Sequence, residues 1–344
     1  MYFRWFFYFS LYFLIGCSNT HVLGLIHQFE FTYQIDLDQT EDTVELWFPV
    51  PQSNEVQLIS TEKLVHGDLN CEKLSESTHG NHYYYCISEN GLKDNITLTY
   101  TCHVKRNEHG VINYDNVMTH NYDKGTNHIT VPEGKMFDNI IQKNSLSKND
   151  MRTVYDYVLN GMHYCKPKSE ESEYYKDPWL SENGKYGLKE VSRDEVVSLY
   201  QQAKDNGGDY TFGNGNSVYA CDIGVGNCTD YHSYFISLSR TMDIPARFHM
   251  GFSIPNGVSG KIGGYHCWAD YYIEGEGWYP VDISEADKDP KKKDYFFGTV
   301  NYNRVEFSTG RDLELHNYKK HVNFFIYPLV EGTTFEKSFS YTNI

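Results

Sequence analysis

The stretch Gly224-Val-Gly-Asn-Cys228-Thr-Asp-Tyr-His-Ser-Tyr-Phe-Ile-Ser-Leu238 puts a cysteine behind glycines, with Tyr231, Tyr234, Phe235, Leu238 and Met242 following at helical spacing. Cys228 therefore opens a helix with a buried stripe. At that position unpaired N–H groups and the positive end of the helix dipole favour a thiolate. The helix must stop before Pro245, and Arg247 to Ile254 reads as a returning strand. A loop containing Gly257, Gly260, Gly263 and Gly264 leads to Tyr265-His266-Cys-Trp-Ala-Asp-Tyr-Tyr-Ile273. Glu274-Gly-Glu-Gly277 is a turn, and Trp278-Tyr-Pro-Val-Asp282-Ile283 is the next strand. A turn centred near Glu274 and Gly275 sets His266 roughly opposite Asp282, within the residue or so that a turn bulge can shift. Cross-strand Cβ atoms lie about 4.5–5.5 Å apart, so a carboxylate can hold one imidazole nitrogen while the other faces a thiol. Nucleophile, base and orienting carboxylate are the requirements of thiol acyl transfer.

Each residue also has a plainer reading. Cys228 could be half of a disulfide, and a lone histidine is more often structural than catalytic. Asp230, in the same turn as Cys228, reads as charge compensation at a helix N-terminus, and Arg247 as half of a structural ion pair. Cys267 points away from His266 and reads as a core thiol. A zinc site built from Cys228, His232, His266 and Cys267 lacks paired Cys-x-x-Cys spacing, so no metal is expected.

The elements that must position these groups follow from hydrophobic period. Phe29, Phe31, Tyr33 and Ile35 alternate with polar residues, as do Ile96, Leu98, Tyr100, Cys102 and Val104. Short β-rich runs lie between them at Val44–Val50, Val56–Ile59 and His82–Ile87, which together predict an antiparallel β-sandwich. Pro49 and Pro51 end that strand or mark an edge. Residues from Lys105 to Lys148 are polar and weakly periodic, and the domain junction is placed near their end. Met151, Val154, Tyr155, Val158 and Leu159 then form a helical stripe stopped by Asn160-Gly161. Ser192-Arg-Asp-Glu195 has capping-box spacing for a further helix ended by Gly207-Gly208, with a charged excursion, Lys166 to Lys189, before it. The expected division is 1–17 leader, 18–146 β-rich domain and linker, and 147–344 catalytic part with a C-terminal β extension.

Four linked motifs carry a resemblance. Gly-Asn-Cys228 opening a helix, Ile244-Pro-Ala-Arg247, Tyr-His266-Cys-Trp and Gly-Trp278-Tyr-Pro-Val-Asp282 resemble the transglutaminase-like superfamily, from about Asp150 to Asp289. More loosely the resemblance takes in the N-terminal β-domain and the Tyr295-Phe-Phe-Gly and Asn303-Arg304 stretch. It implies an α+β, papain-like core preceded by an all-β sandwich-like domain. It further implies Cys228 as nucleophile, His266 as general base and Asp282 as orienting carboxylate. The backbone N–H of Cys228 is the default oxyanion donor, with Asn227, Trp179 or Tyr219 as a second. Tyr265, Trp268 and Trp278 either wall the cleft or pack the core. The expected activity is on protein or peptide amide bonds through a thioester, resolved by water or an amine. The competing expectation is a surface protein that binds peptide or glycan without chemistry. No Asp/Asn/Gly loop has calcium-binding spacing, and no cofactor is expected.

Composition bounds the rest. The 344 residues suggest about two domains, and 40% hydrophobic content argues against wholesale disorder. A mean hydropathy of −0.58 excludes a polytopic membrane protein. A net charge of −16 disfavours binding to a phosphate backbone, so nucleic acid is not an expected partner. Met1-Tyr-Phe-Arg4 and the apolar run Trp5 to Gly16 match a signal peptide, and the run is too short to span ~30 Å of hydrocarbon. Its end, Leu14-Ile15-Gly16-Cys17-Ser18, resembles a bacterial lipobox, so Cys17 is the expected lipidation site. Both readings export the chain and permit disulfides. Cys71 with Cys86 is the best candidate bridge, and Cys165 with Cys221 a weaker one.

Overall fold

Alternation along the first described stretch yields β1 (Val22–Leu37), whose inward residues Phe29, Phe31, Tyr33 and Ile35 are fully buried. The computed structural model describes residues 22–124, 134–164 and 213–344. The strands β2 (Val44–Pro49), β3 (Gln57–Val65), β4 (Asn70–Ser75), β5 (His82–Ser88) and β6 (Ile96–His109) follow. Helices α1 (Lys135–Lys143) and α2 (Met151–Gly161) come next. The two-residue strand β7 (His163–Tyr164) pairs in parallel with β8 (Val225–Gly226), and α3 (Ser217–Ile223) stands directly ahead of β8. Then come α4 (Cys228–Thr241), β9 (Ala246–Ser253), β10 (Ser259–Lys261), β11 (His266–Ile273) and β12 (Gly277–Val281). The chain closes with α5 (Ile283–Lys288), β13 (Arg304–Thr309), β14 (Leu329–Glu331) and β15 (Phe335–Asn343).

Two sheets, β10-β15-β1-β6-β3 and β14-β2-β5-β4, form the expected sandwich. Their facing aromatics meet directly, with Tyr33 and Phe48 ring centroids 5.7 Å apart and Tyr84 and Tyr100 6.2 Å apart. Cys71 and Cys86 are register partners on β4 and β5 and are joined by a disulfide. Strand β2 ends at Pro49 rather than lying at an edge, because β14 pairs along its other side.

The C-terminal β extension, expected to belong with the catalytic part, instead completes the sandwich. Strand β15 pairs with β1 from Phe29↔Asn343 to Leu37↔Phe335, and β14 pairs with β2. Sequence period specifies a strand but not its partner, so distant pairings of this kind are invisible locally. Leu313, Leu315, Val322 and Phe325 pack over Trp47, Tyr83 and Tyr85, covering the outer face of the second sheet.

A third sheet, β12-β11-β9-β13, carries the candidate site, with α4 packed against it. Phe31 of β1 meets Phe252 of β9 and Phe307 of β13 at 5.5 and 5.2 Å, so the sandwich and this sheet share one core. Cross-strand partners Arg247 and Asp270 form the expected structural ion pair, with Arg247 Nε 2.9 Å from Asp270 Oδ1. Helix α4 departs from the expected single stripe: every residue from Cys228 to Arg240 is buried. Several of its polar side chains are satisfied within the fold, as where Ser239 Oγ donates to Phe235 O at 2.8 Å. Helix α1 lies within a run that reads as polar and weakly periodic, where Met136, Phe137 and Ile140 are buried and Ile141 packs against the core partly buried.

Candidate active site

The N-terminus of α4 is built as a reciprocal cap. Asn227 Oδ1 accepts from Thr229 N–H at 2.9 Å, and Asp230 Oδ2 accepts from Asn227 N–H at 3.0 Å. Asp230 also accepts from Gly213 N–H at 3.0 Å and Gly215 N–H at 3.1 Å, so it ties the preceding loop to the helix start. Burial pushes its carboxyl up to about 7, against the three backbone donors that favour the ionised form. Gly226 is required here, because a Cβ would lie 2.7 Å from Asp230 Oδ2. Cys228 is thus held at the first helical position, 2% exposed. Its N–H has no hydrogen-bond partner among the described residues.

The hairpin brings the other two expected residues to it. His266 Nε2 lies 2.7 Å from Asp282 Oδ2, and the thiol of Cys228 is within hydrogen-bonding reach of the His266 ring. With Nε2 held by the carboxylate, Nδ1 is the nitrogen left for the thiol. The register differs from the sequence expectation. Ile273 pairs with Gly277 across a three-residue loop, and Ala269 pairs with Val281, which sets Trp268 rather than His266 opposite Asp282. The offset is two residues, so His266 and Asp282 keep the same face and meet diagonally. Asp282 has also left the strand: it caps α5, accepting from Glu285 N–H and Ser284 Oγ, each at 3.0 Å through Oδ1.

Electrostatics organise these groups into a charged pair. Burial would lower the His266 pKa, but the Asp282 carboxylate outweighs it and lifts it to about 9. Burial would raise the Cys228 thiol, yet hydrogen bonds from Cys267 and His266 and the charge of His266 hold it well below its ordinary value. Asp282 is likewise driven well below the usual carboxylate range, burial being overcome by His266 and Arg304. The arrangement favours a thiolate beside an imidazolium, the charge state that thiol acyl transfer requires.

The remaining expected residues fall in different places. Tyr265 stands beside the thiol, and its hydroxyl accepts from Asn227 Nδ2 at 3.1 Å. Asn227 is therefore occupied as a cap and as the anchor of Tyr265. Trp268 packs behind the site rather than along an open cleft, stacked on His249 at 5.5 Å and facing His266 at 6.3 Å. Trp278 lies further off, where Arg247 sits 4.3 Å over its ring. Tyr219 is buried on α3, and Trp179, Cys165 and Cys17 lie outside the described residues. So do the leader, the excursion at 166–189 and the helix expected after Ser192.

Three contributors were not recognised in the sequence. Arg304 Nη2 meets Asp282 Oδ2 at 2.6 Å, and its guanidinium lies 5.1 Å over the Trp268 ring. Cys267 is buried as expected, but it lies on the side that α4 packs against, within hydrogen-bonding reach of Cys228 and 3.7 Å from His232 Nδ1. His232 Nδ1 is 2.7 Å from Cys228 O, and Ile283 N–H donates to His232 Nε2 at 3.1 Å. The spacing of His232, four residues after Cys228, was the available signal, since it places both on one side of the helix.

Residues 183–283 match the transglutaminase-like superfamily. A Haemophilus influenzae protein of uncharacterised function is 30% identical over 160 residues, covering 34% of this chain and 43% of that protein. The chain thus spans less than half the length of this curated relative. A Cytophaga hutchinsonii structure described as a candidate cysteine protease aligns over 93% of this chain and 100% of its own, with 14% identity and a TM-score of 0.49. The periplasmic domain of TgpA from Pseudomonas aeruginosa aligns over 77% of this chain and 90% of its own, with 10% identity and a TM-score of 0.29.

Proposed function

For a chain with a transglutaminase-like core, we propose a thiol enzyme that acts on amide bonds of proteins or peptides. One observation carries this reading: a buried cysteine at a helix start within reach of an imidazole whose other nitrogen is held by a buried carboxylate. In the proposed reaction the Cys228 thiolate attacks the amide carbonyl carbon and the carbonyl electrons move onto oxygen. The Cys228 N–H, without a partner among the described residues, is the donor assigned to that developing oxyanion in this reading. As the tetrahedral species collapses, the C–N bond breaks and His266 gives its proton to the departing amine, leaving a thioester. His266, now neutral, takes a proton from water or from an acceptor amine as it attacks, and the thiolate leaves. Asp282 fixes the ring orientation and stabilises the imidazolium throughout.

Water as acceptor makes the protein a peptidase, amidase or deamidase, and an amine makes it a cross-linker. The Cys71–Cys86 disulfide supports an oxidising compartment, and with the leader-like start it favours export to the cell envelope, with Cys17 as the lipid attachment point. Among the described residues no helix is long and apolar enough to cross a membrane.

Incubating the protein with an extract of its own envelope, followed by mass spectrometry of the Cys228 peptide, tests the reading. An acyl adduct on Cys228 that is absent from Cys228→Ala is expected, and its mass names the substrate class. Retained binding of a peptide or glycan by both proteins, with no adduct on either, would overturn the enzymatic reading in favour of a binding protein.

A further inference from the structure

His232 stands fully buried in the middle of the site, and the triad chemistry leaves it without a task. It sits on the second turn of α4 and its two ring nitrogens face two different backbone segments. Nδ1 is 2.7 Å from the carbonyl of Cys228, the nucleophile's own residue. Nε2 is 3.1 Å from the N–H of Ile283, the residue that follows Asp282. We infer that His232 is a positioning residue, a neutral imidazole strut that fixes the Asp282 turn against the start of the nucleophile helix.

The two contacts define one protonation state. A carbonyl can only accept, so Nδ1 carries the proton; an amide N–H can only donate, so Nε2 carries none. A proton on Nε2 would oppose the N–H of Ile283 and orphan it in a buried site, which is costly. Burial acts in the same direction and brings the His232 pKa down to about 4. The charged or titratable groups facing the ring are Cys228 on its own helix, His266 and Cys267 on β11, and Asp282 ahead of α5, whose Oδ1 is 3.8 Å from Nε2. A neutral ring here leaves Asp282 to His266 and Arg304 and adds no second cation to compete for it. The strut matters because Asp282 lies beyond the end of β12 and the ladder no longer holds it. On the sheet side its carboxylate is held by His266 and Arg304 and its N–H donates to Phe296 O, and His232 supplies the tie from that turn to α4.

This inference rests on the proposed thiol chemistry for its consequence, but its geometry can be tested without any substrate. Amide hydrogen exchange across residues 279–288 and the pH profile of Cys228 alkylation by iodoacetamide would be measured in wild type, His232→Leu and His232→Gln. The leucine fills the space and removes both contacts. The glutamine, whose far oxygen can still accept from Ile283, is the conservative variant and the fallback if the leucine protein does not fold. Exchange at Ile283 is expected to quicken about tenfold or more in His232→Leu, as loss of a buried hydrogen bond implies, and to recover in His232→Gln. The acid limb of alkylation is expected to move to higher pH in the leucine variant and back toward wild type in the glutamine variant. Unchanged Ile283 exchange in a folded His232→Leu protein would overturn the strut. Altered exchange with an unmoved alkylation profile would overturn its positioning role. If wild-type Cys228 itself alkylates like a free peptide thiol, the thiol-enzyme reading fails instead, while the exchange arm still judges the strut.

Discussion

Arg304 Nη2 and Asp282 Oδ2 stand 2.6 Å apart, and that same oxygen is 2.7 Å from His266 Nε2. Both members of the Arg304–Asp282 pair are buried, so the carboxylate is shared between a permanent cation and a titratable one. The guanidinium keeps Asp282 ionised, and its charge also opposes protonation of His266. The site is thereby tuned from behind, by a residue on β13, the strand at the opposite edge of the sheet from β12.

Replacing Arg304 therefore has two effects of opposite character. Arg304→Leu removes one partner of a buried ion pair and should cost about 3–5 kcal/mol of stability. In whatever fraction stays folded, His266 loses an opposing charge, so its pKa rises and the alkaline limb of turnover moves to higher pH. Thermal unfolding and a pH–rate profile measure the two, and an alkaline limb that moved down would contradict the assigned sign.

The pH dependence of the intact site follows from the His266–Asp282 pair. His266 is raised to about 9 in the fold, so its contribution to stability is complete below the unfolded value of about 6.5 and is lost as pH rises toward 9. Asp282 is depressed, so its contribution is present above about 3.9 and is lost as pH falls through its folded value. Turnover should fall above about pH 9, where the imidazolium that protonates the leaving amine disappears, whereas alkylation of the thiolate should not fall. Asp282→Asn should flatten the stability dependence attributed to the pair and lower turnover by about 10²–10⁴-fold.

The cap at the head of α4 should be as sensitive as the triad. Asp230→Ala strips the acceptor from three backbone N–H groups, and about 1–3 kcal/mol is expected for each one left unpaired. Gly226→Ala attacks the same cap from the other side by forcing a Cβ against the Asp230 carboxylate. Both variants should slow Cys228 alkylation at pH 6 while leaving the β-sandwich intact. Equal alkylation rates would show that the helix start holds the thiol without its cap.

The disulfide belongs to the sandwich and not to the site. Cys71 and Cys86 are separated by 15 positions, and opening a loop of that size should cost about 3 kcal/mol. Peptide mapping without reductant should recover the linked Cys71–Cys86 pair. Reduction should lower the unfolding midpoint yet leave the pH profile of Cys228 alkylation where it was.

Much of this was legible in the chain. The period-two runs located β1, β5 and β6, and the glycine-flanked Cys228 marked the first turn of α4. The spacing of His266 and Asp282 around a Gly-rich turn was enough to put them on one face, because a two-residue register offset preserves facing in a strand. The capping pair Asn227 and Asp230, three residues apart, is also readable, and it makes Asp230 a cap partner as well as a charge at the helix start. The thirty Tyr are accounted for in part, as ring contacts between sheets and over the face of β2 and β5.

What the sequence determined by itself was local: which segments pair or coil, and which thiol, imidazole and carboxylate the proposed acyl transfer would use. Tertiary structure alone decided that the last strands return to β1 and β2, that α4 is buried on every side, and that Arg304, Cys267 and His232 converge on the triad. The physical reason is the range of the forces involved. Period, capping and turn chemistry act over a few residues and leave a mark in the sequence. The pairing of distant strands, and the charge that one buried group imposes on another, depend on packing that no local pattern records.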